Sequence, residues 1–387
     1  GATIHTLAGE AIENGTVSFV DGKIVEVGAG LAPLEGARVV NAEGKHVYPG
    51  FIDANSVVGL AEVSAVSATV DITETGAVNP NVNTAIAINP DSEVIGVTRA
   101  NGVTHSLAAP GGDLVHGSSA LIRLDGWTWE DLTAAAPVAM HVSWPAFSSR
   151  RSRFFGPARS AEDQEKLREE NLGKIQELVD GARAYAKAKK ARDSGGHSFE
   201  VDQILEAMLP VLDGRMPLII YANDVRQIRS AVEWTEKEGL RMILAGSRDV
   251  WRVADLLAAR KIPVIFTNVL DLPAREDEPY DTPFTAVSKL HEAGVRFCIA
   301  GSANPFAAAN ARNLPYHAAM AAAFGLPRDE ALKAVTLYPA QILGVGDNLG
   351  SIEVGKSASL IITDGDPLEI RTQVEQAFID GREADLE

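Results

Sequence analysis

The chain has 387 residues, of which 46% are hydrophobic and 22% are charged, so it is long enough for a large buried core and a smaller second unit. Its formal net charge of −17 argues against nucleic acids and anionic membranes as partners, because both surfaces would repel it. No apolar run approaches the roughly 20 residues that cross a bilayer, and we expect no membrane-spanning segment.

Residues 1–48 predict β structure without clear helices. Two β-rich runs, at 15–20 and 23–27, flank the dipeptide Asp21-Gly22, which is typical of a tight hairpin turn. We therefore expect this end of the chain to form part of a small β domain.

The central region, residues 49–349, begins with a predicted strand at 51–53. A long polar segment follows at about 65–101, with Asn-Pro pairs at 79–80 and 89–90. Loops that follow the strands of a parallel barrel line its active face, so we expect this insertion to form a lid or a partner surface.

Short apolar runs then alternate with amphipathic helical segments, which is typical of βα units around a parallel sheet. A helix is predicted at 224–237, where Asn223 can cap the first amides and Gly239 can end the helix. Pro327 can open another helix, which we expect to run to Leu337. The predicted strands of this region are residues 105–109, 138–144, 217–222, 241–245, 263–267 and 296–300.

Two segments do not fit a minimal βα repeat. At 148–159 four arginines flank Phe154 and Phe155, and this loop is either a solvated surface loop, which we favour, or a site for an anionic ligand or partner. Residues 161–192 are rich in Lys, Glu and Ala, which predicts a solvent-facing helix, and the glycines near 195 predict a hinge.

The C-terminal residues 350–387 return to a β pattern, with runs at 358–363 and 374–380. The predicted fold class is α/β: a (β/α)8 TIM-like barrel over residues 49–349, provided that one more strand is present. Beside it we expect a small β-sandwich domain formed by residues 1–48 and 350–387. A doubly wound open sheet is the alternative, although the chain has no glycine-rich dinucleotide loop.

Three motifs carry a resemblance to a known family. Residues 49–53 read Pro-Gly-Phe-Ile-Asp, residues 336–344 read Thr-Leu-Tyr-Pro-Ala-Gln-Ile-Leu-Gly, and residues 350–360 read Gly-Ser-Ile-Glu-Val-Gly-Lys-Ser-Ala-Ser-Leu. On these motifs the chain resembles the amidohydrolase superfamily, in its imidazolonepropionase-like and prolidase-like branch. The resemblance implies a barrel with a sandwich. In active relatives it also implies one or two divalent ions, such as zinc, that activate water to attack an amide or related carbon.

The resemblance also shows where metal ligands should lie, and this chain carries other residues there. The four histidines and the aspartate of the family pattern fall, in order, at Asn55, Val57, Tyr221, Ala245 or Gly246, and Ala303. An amide oxygen or a neutral phenol is a weak zinc ligand, and an alkyl side chain is none. We therefore expect no metal cofactor and no classical metal-dependent hydrolysis. No motif shows which residue corresponds to the family's metal ligand on strand four.

Few other residues are candidates for chemistry. Asp53 is retained from the family motif, and His105 and His141 lie on predicted strands, so these three are weak catalytic candidates. His116 follows Gly-Gly-Asp in a predicted loop that could reach the barrel mouth. For each histidine we favour a structural, hydrogen-bonded role. Asn223 and the residues at the former ligand positions are expected to line the pocket.

Two functions remain open from the sequence. One is a hydrolase of C–N bonds in amides or small peptides that uses an unconventional or metal-free site. The other is a catalytically inactive homologue that binds a small molecule or pairs with an active relative as a noncatalytic partner, and a homo-oligomer is a further form that the sequence allows. The simultaneous loss of the histidines and the aspartate favours the second function, the catalytically degenerate homologue.

The compartment is predicted only indirectly. The chain starts at Gly1, and members of the family often carry secretion signals, so we expect a periplasmic or secreted protein, with the cytoplasm as the alternative. Its single cysteine, Cys298, cannot form an internal disulfide, so cysteine usage does not decide between them.

Overall fold

The structure is a computed structural model that describes residues 1–147, 160–193 and 200–386. The arginine-rich segment 148–159, residues 194–197 of the predicted hinge, and with them His197, lie outside the described residues. Within the described ranges, no helix is long and apolar enough to cross a membrane.

The strands of these ranges fall at both ends of the chain and at intervals between them. In chain order they are β1 (Ala2–Ile4), β2 (Ile12–Val20), β3 (Lys23–Ala29), β4 (His46–Pro49), β5 (Phe51–Ser56), β6 (Val103–Ala108), β7 (Val115–Ser118), β8 (Ala120–Arg123), β9 (Thr133–Ala135), β10 (Met140–Ser143), β11 (Leu218–Tyr221), β12 (Met242–Gly246), β13 (Val264–Thr267), β14 (Phe297–Ala300), β15 (Leu360–Thr363), β16 (Val374–Ile379) and β17 (Arg382–Ala384).

The helices lie mainly between the central strands. They are α1 (Glu93–Arg99), α2 (Trp129–Leu132), α3 (Ala161–Asp193), α4 (Gln203–Ala207), α5 (Leu209–Leu212), α6 (Val225–Glu238), α7 (Ala254–Ala259), α8 (Thr282–Glu292), α9 (Leu314–Ala323), α10 (Arg328–Lys333) and α11 (Leu337–Ile342). Short 3₁₀ helices occur at Ser67–Thr69, Thr84–Ala87, Val250–Val253 and Pro305–Asn313.

Strands from both ends of the chain form one seven-stranded sheet, in the order β17-β16-β15-β4-β1-β2-β3. The β2–β3 hairpin turns at Asp21 and Gly22, whose φ angles of 48° and 77° are the left-handed values that such a turn requires. The sequence thus predicted that both termini combine. Among the described residues, these strands are hydrogen-bonded into this one sheet, and they bury a shared core that includes Ile4, Ile24 and Leu360.

The central strands form two further sheets. One has the order β14-β13-β12-β11-β10-β7, in which β10 to β14 are parallel neighbours. The other has the order β5-β6-β8-β9, in which β5 and β6 are parallel. Each of the six strands predicted for residues 105–300 matches an observed strand to within one to two residues at either end. The predicted first strand extends from Phe51 to Ser56.

The strand that the sequence analysis lacked is residues 115–123, observed as β7 and β8. β7 runs antiparallel to β10, and β8 runs antiparallel to β6. Between them, Ser119 donates its N–H to Ala139 O at 3.0 Å, which continues the pairing. The expectation that His116 lies in a loop is therefore wrong, because His116 belongs to β7. A reversed strand that contains a glycine does not match the sequence pattern of parallel βα units, so the sequence did not predict it.

The parallel strands end on one side of the molecule, here called the strand-end face. Gly301, just after β14, donates its N–H to Asp53 Oδ1 of β5 at 3.0 Å, so the first and last of these strands are neighbours. Seven strands send apolar side chains into one buried cluster below this face. These side chains include Ile52, Leu107, Leu121, Ile219, Ile243, Ile265 and Cys298.

The predicted insertion at 65–101 has a partly regular structure. Its last part is α1, which precedes β6. Residues 77–83 run beside β7, where Asn79 donates its N–H to Val115 O at 2.8 Å and Ser118 donates its N–H to Val82 O at 2.9 Å. The segment therefore covers the edge of β7 next to the strand-end face.

Three helix predictions need correction. α6 is capped by Asp224, whose carboxylate accepts the N–H groups of residues 226 and 227, and not by Asn223. Gly239 ends α6 with φ of 66°, as predicted. The helix expected to run from Pro327 to Leu337 is two helices, α10 and α11. The long helix α3 is not solvent-facing throughout, because it buries one side that includes Ile175 and Val179.

Candidate functional site

Asp53 lies buried at the strand-end face, where β5 meets the end of β14. Its Oδ1 accepts the N–H of Asn55 at 3.1 Å and that of Gly301 at 3.0 Å. Its Oδ2 is buried and has no hydrogen-bond partner among the described residues. Burial raises the pKa of Asp53 to about 6, although the two N–H groups act in the opposite direction. Asp53 thus carries one oxygen that no described residue uses as an acceptor.

A chain of side-chain hydrogen bonds crosses the site from β5 to β10. Asn55 donates through Nδ2 to Gly301 O at 3.3 Å and accepts at Oδ1 from the Tyr221 hydroxyl at 2.8 Å. The Tyr221 oxygen lies 2.9 Å from Nδ1 of His141. Because the Tyr221 proton goes to Asn55, the proton between Tyr221 and His141 must belong to Nδ1 of the imidazole.

His141 is neutral and carries its proton on Nδ1. Burial lowers the pKa of this residue well below its usual value, so the ring is neutral. With the proton on Nδ1, Nε2 is an acceptor, and this buried atom has no partner among the described residues. Burial also raises the pKa of the Tyr221 phenol, which therefore stays protonated at neutral pH.

A second hydrogen-bonded pair, Ser143 and His116, lies beside the first. Ser143 ends β10 and is in register with Tyr221 of β11. Its Oγ lies 3.0 Å from Nε2 of His116, whose Nδ1 lies 3.2 Å from Pro110 O. The His116 ring also stacks on the ring of Tyr221, with centroids 5.9 Å apart and planes at 16°. The two pairs therefore form one polar cluster.

The charge state of His116 follows from its surroundings. Burial lowers its pKa to about 4, while the carbonyl of Pro110 and the carboxylate of Asp113 act in the opposite direction. His116 is therefore neutral at pH 7. Its Nδ1 must carry the proton, because Pro110 O can only accept, so Nε2 accepts the Ser143 hydroxyl proton.

The alkyl side chains of Val57, Ala245 and Ala303 contribute no polar group to this cluster, although Ala245 is in register with Tyr221. Val57 is buried in the apolar core, Ala245 is buried in the cluster between the strands, and Ala303 packs against the core. Asn223 accepts the N–H of Ser247 at 3.1 Å, so it holds the loop after β12.

His105 lies in the first half of β6, in register with Ile52. It contacts Thr104 Oγ1 at 3.0 Å and is in register with Arg123, which pairs with Asp380 of the terminal sheet. His105 and His141 therefore do not share a site, although both were weak candidates.

The donor set at this face is poor in metal ligands. No group of three or more His, Cys, Asp or Glu side chains is placed to hold a metal ion within residues 1–147, 160–193 and 200–386. The polar atoms of Asn55 and Tyr221 are instead used by each other and by Gly301 and His141.

Sequence reasoning missed Ser143. The signal was present, because Ser143 lies two residues after His141 on one strand, and positions two apart in a strand share a face. The pairing with His116 depends on the reversed strand β7 and could not be found without it.

The sequence is similar to those of several known proteins. The sequence profile of the Amidohydrolase family matches residues 153–383. An amidohydrolase named tasK from Hapsidospora irregularis is 25% identical over 96% of this chain, which spans 39% of that relative. An imidazolonepropionase from Sphingopyxis alaskensis is 36% identical over 23% of this chain and 23% of its own length. The chain therefore spans less than half the length of these curated relatives.

A solved structure extends the likeness to the whole chain. The amidohydrolase from Thermotoga maritima MSB8 superimposes with a TM-score of 0.87 and 26% identity, over 99% of this chain and 98% of that one. The shared architecture thus includes the terminal sheet as well as the central strands.

Proposed function

The chain belongs to the amidohydrolase family, and from this premise we propose that it is a member whose strand-end site acts on a small amide or related carbonyl compound without a divalent metal ion. The observation that carries this proposal is the hydrogen-bonded chain from Asn55 through Tyr221 to His141. It joins directly the two strand ends, β5 and β11, at which the resemblance expects metal ligands.

The residues present do not fit the family's metal. To coordinate an ion, Asn55 and Tyr221 would have to give up a buried hydrogen bond of 2.8 Å. Each buried polar atom left without a partner costs about 1–3 kcal/mol. In return the ion would gain an amide oxygen and a protonated phenol, both weak ligands for zinc. We therefore assign no step of the chemistry to a metal ion.

Two unused acceptors support binding of a small polar molecule. Oδ2 of Asp53 and Nε2 of His141 are buried and lack partners among the described residues. Buried acceptors are costly unless they receive a hydrogen bond, so a ligand with N–H or O–H donors would stabilise them. An amide supplies such a donor together with the carbonyl on which the family's chemistry takes place.

We also infer that the two central sheets close into an eight-stranded barrel around this site. The support is the contact of Gly301 with Asp53 on one side and the bridging strand 115–123 on the other. The strand order would then be β5, β6, residues 115–123, and β10 to β14.

The test is the metal content of protein purified without chelator, measured by elemental mass spectrometry before and after incubation with zinc, manganese and iron. We expect well under one ion per chain in each case. A variant with Asn55→His, Val57→His, Tyr221→His and Ala303→Asp restores the family's ligands at four positions and serves as the positive control. One or two tightly held ions in the unmodified chain would contradict the proposal.

A further inference from the structure

We propose that Ser143 and His116 form a nucleophile–base pair that transfers the acyl group of a small ester or amide through Ser143 to water. This proposal rests on the metal-independent site proposed above and assigns it a reaction. The observation that carries it is the hydrogen bond of 3.0 Å between Ser143 Oγ and His116 Nε2, with His116 held on its other side by Pro110 O at 3.2 Å.

The orientation of the pair follows from hydrogen-bond chemistry. The carbonyl of Pro110 can only accept, so it fixes the proton of His116 on Nδ1 and leaves Nε2 as the acceptor. The Ser143 hydroxyl then points its proton at Nε2, which is the arrangement in which an imidazole activates a hydroxyl. Burial disfavours the protonated ring, and the carbonyl of Pro110 and the carboxylate of Asp113 would offset part of that cost when the imidazolium forms on proton transfer.

The position of the pair suits reaction with a ligand. Ser143 is the last residue of β10 and is partly exposed, whereas His116 is buried. The nucleophile is thus the member of the pair that a ligand can reach. Tyr221 stacks on His116 and holds the plane of its ring. His141 lies on the same strand as Ser143, and its Nε2, which has no partner among the described residues, would bind a donor group of the ligand.

The reaction balances with water as the second reactant. His116 Nε2 takes the proton of Ser143 while Oγ forms a bond to the acyl carbon, and the bond from that carbon to its alcohol or amine breaks. The leaving group takes the proton from Nε2. Water then attacks the acyl-serine, its proton passes to Nε2, and the carboxylic acid leaves as Ser143 Oγ regains a proton.

Two other serines near the strand ends lack this arrangement. Ser302, after β14, accepts a hydrogen bond from Asn304 Nδ2 at 2.7 Å, and Ser118 donates to Val82 O at 3.2 Å. Neither hydroxyl contacts an imidazole among the described residues. Ser302 is half-buried like Ser143 and therefore serves as the matched control.

The experiment uses p-nitrophenyl acetate as the acyl donor and a fluorophosphonate as a covalent probe, with the full chain treated with chelator. We expect one adduct per chain, located on Ser143 by peptide mass spectrometry, together with release of p-nitrophenol. Ser143→Ala should abolish the adduct, and His116→Gln should slow its formation by about 10²-fold, the scale of general-base catalysis. Ser302→Ala should behave as the unmodified chain does.

The outcomes separate this proposal from the previous one. Metal-free protein that forms no adduct, or that forms it equally in Ser143→Ala, overturns the nucleophile pair and leaves the metal-independent site intact. Adduct formation that requires an added divalent ion overturns the metal-independent site instead. A thermal melting curve for each variant shows that lost labelling does not reflect lost folding.

Discussion

Tyr221 shows how one side chain can connect three strands through hydrogen bonds. Its hydroxyl donates to Asn55 on β5, and its oxygen accepts from His141 on β10, so a single atom joins three strands. From the sequence alone the tyrosine was visible as a replacement for a histidine, but its two partners were not. Both contacts span more than 75 residues in sequence, since they link Tyr221 to Asn55 and His141, and no local pattern encodes such a contact.

The variant Tyr221→Phe tests this connection. It removes one hydroxyl and leaves Asn55 Oδ1 and His141 Nδ1 without their partner, so we expect a loss of about 2 kcal/mol in the free energy of unfolding. Urea unfolding measures the loss. Tyr280→Phe removes a hydroxyl from an exposed side chain and should leave the stability unchanged. Equal stability of the two variants would mean that the buried connection contributes nothing.

The reversed strand 115–123 distinguishes the observed structure from the predicted one. The positions of the parallel strands followed from apolar runs at regular spacing, and the six predicted strands of that region were confirmed to within two residues. The reversed strand carries a glycine at its third position, with the polar residues His116 and Ser118 on either side, so its apolar pattern is interrupted. The Ser143–His116 pair was missed for the same reason.

Gly117 holds this strand against the segment before it, and substitution there gives a test. Its φ of 119° is unfavourable for other residues, and an added Cβ would lie 2.6 Å from Val82 O. We expect Gly117→Ala to lower the free energy of unfolding by about 2 kcal/mol or more. Gly173→Ala in the exposed part of α3 meets no atom within 4 Å and should raise it by up to about 1 kcal/mol.

Thermal melting of both alanine variants checks this pair of predictions. Opposite shifts in Tm are expected, because the same added methyl group is strained at one site and favours the helix at the other. If the Tm of Gly117→Ala equals or exceeds that of the unmodified chain, β7 can move away from Val82 without a loss of stability.

Buried histidines make the free energy of unfolding of the protein depend on pH. Burial lowers the pKa of His105, His116 and His317 to about 4 each, from about 6.5 in the unfolded chain. Below pH 6.5 the unfolded state therefore binds protons that the folded state does not, and stability falls until about pH 4. At pH 5 each histidine costs about 2 kcal/mol relative to neutral pH.

Asp53 acts in the opposite direction. Its folded pKa of about 6 lies above the unfolded value, so its contribution to stability is present at low pH and is lost as pH rises through 6. Between pH 7 and pH 5, protonation of Asp53 raises the free energy of unfolding by about 1 kcal/mol. The loss caused by the three histidines over the same range is larger. We therefore expect Tm to fall between pH 7 and pH 5.

The variant His317→Asn separates this effect from general acid denaturation. Nδ1 of His317 accepts the N–H of Leu270 at 3.3 Å, and an asparagine oxygen can take over that contact without binding a proton. The drop in Tm between pH 7 and pH 5 should become smaller in this variant. His291→Asn at the surface is the control, and an unchanged pH dependence in His317→Asn would contradict the assignment.

The reversed strand has a consequence for how the site can vary among relatives. A parallel strand reaches the strand-end face with its last residue, whereas β7 starts there, one residue before His116. The connection 109–114, which carries Pro110, therefore leads straight into the imidazole. A residue inserted or deleted in that connection would shift the register of His116 against Ser143, while similar length changes after β12 or β13 would alter only the rim. The length of the connection before this reversed strand thus determines whether His116 meets Ser143.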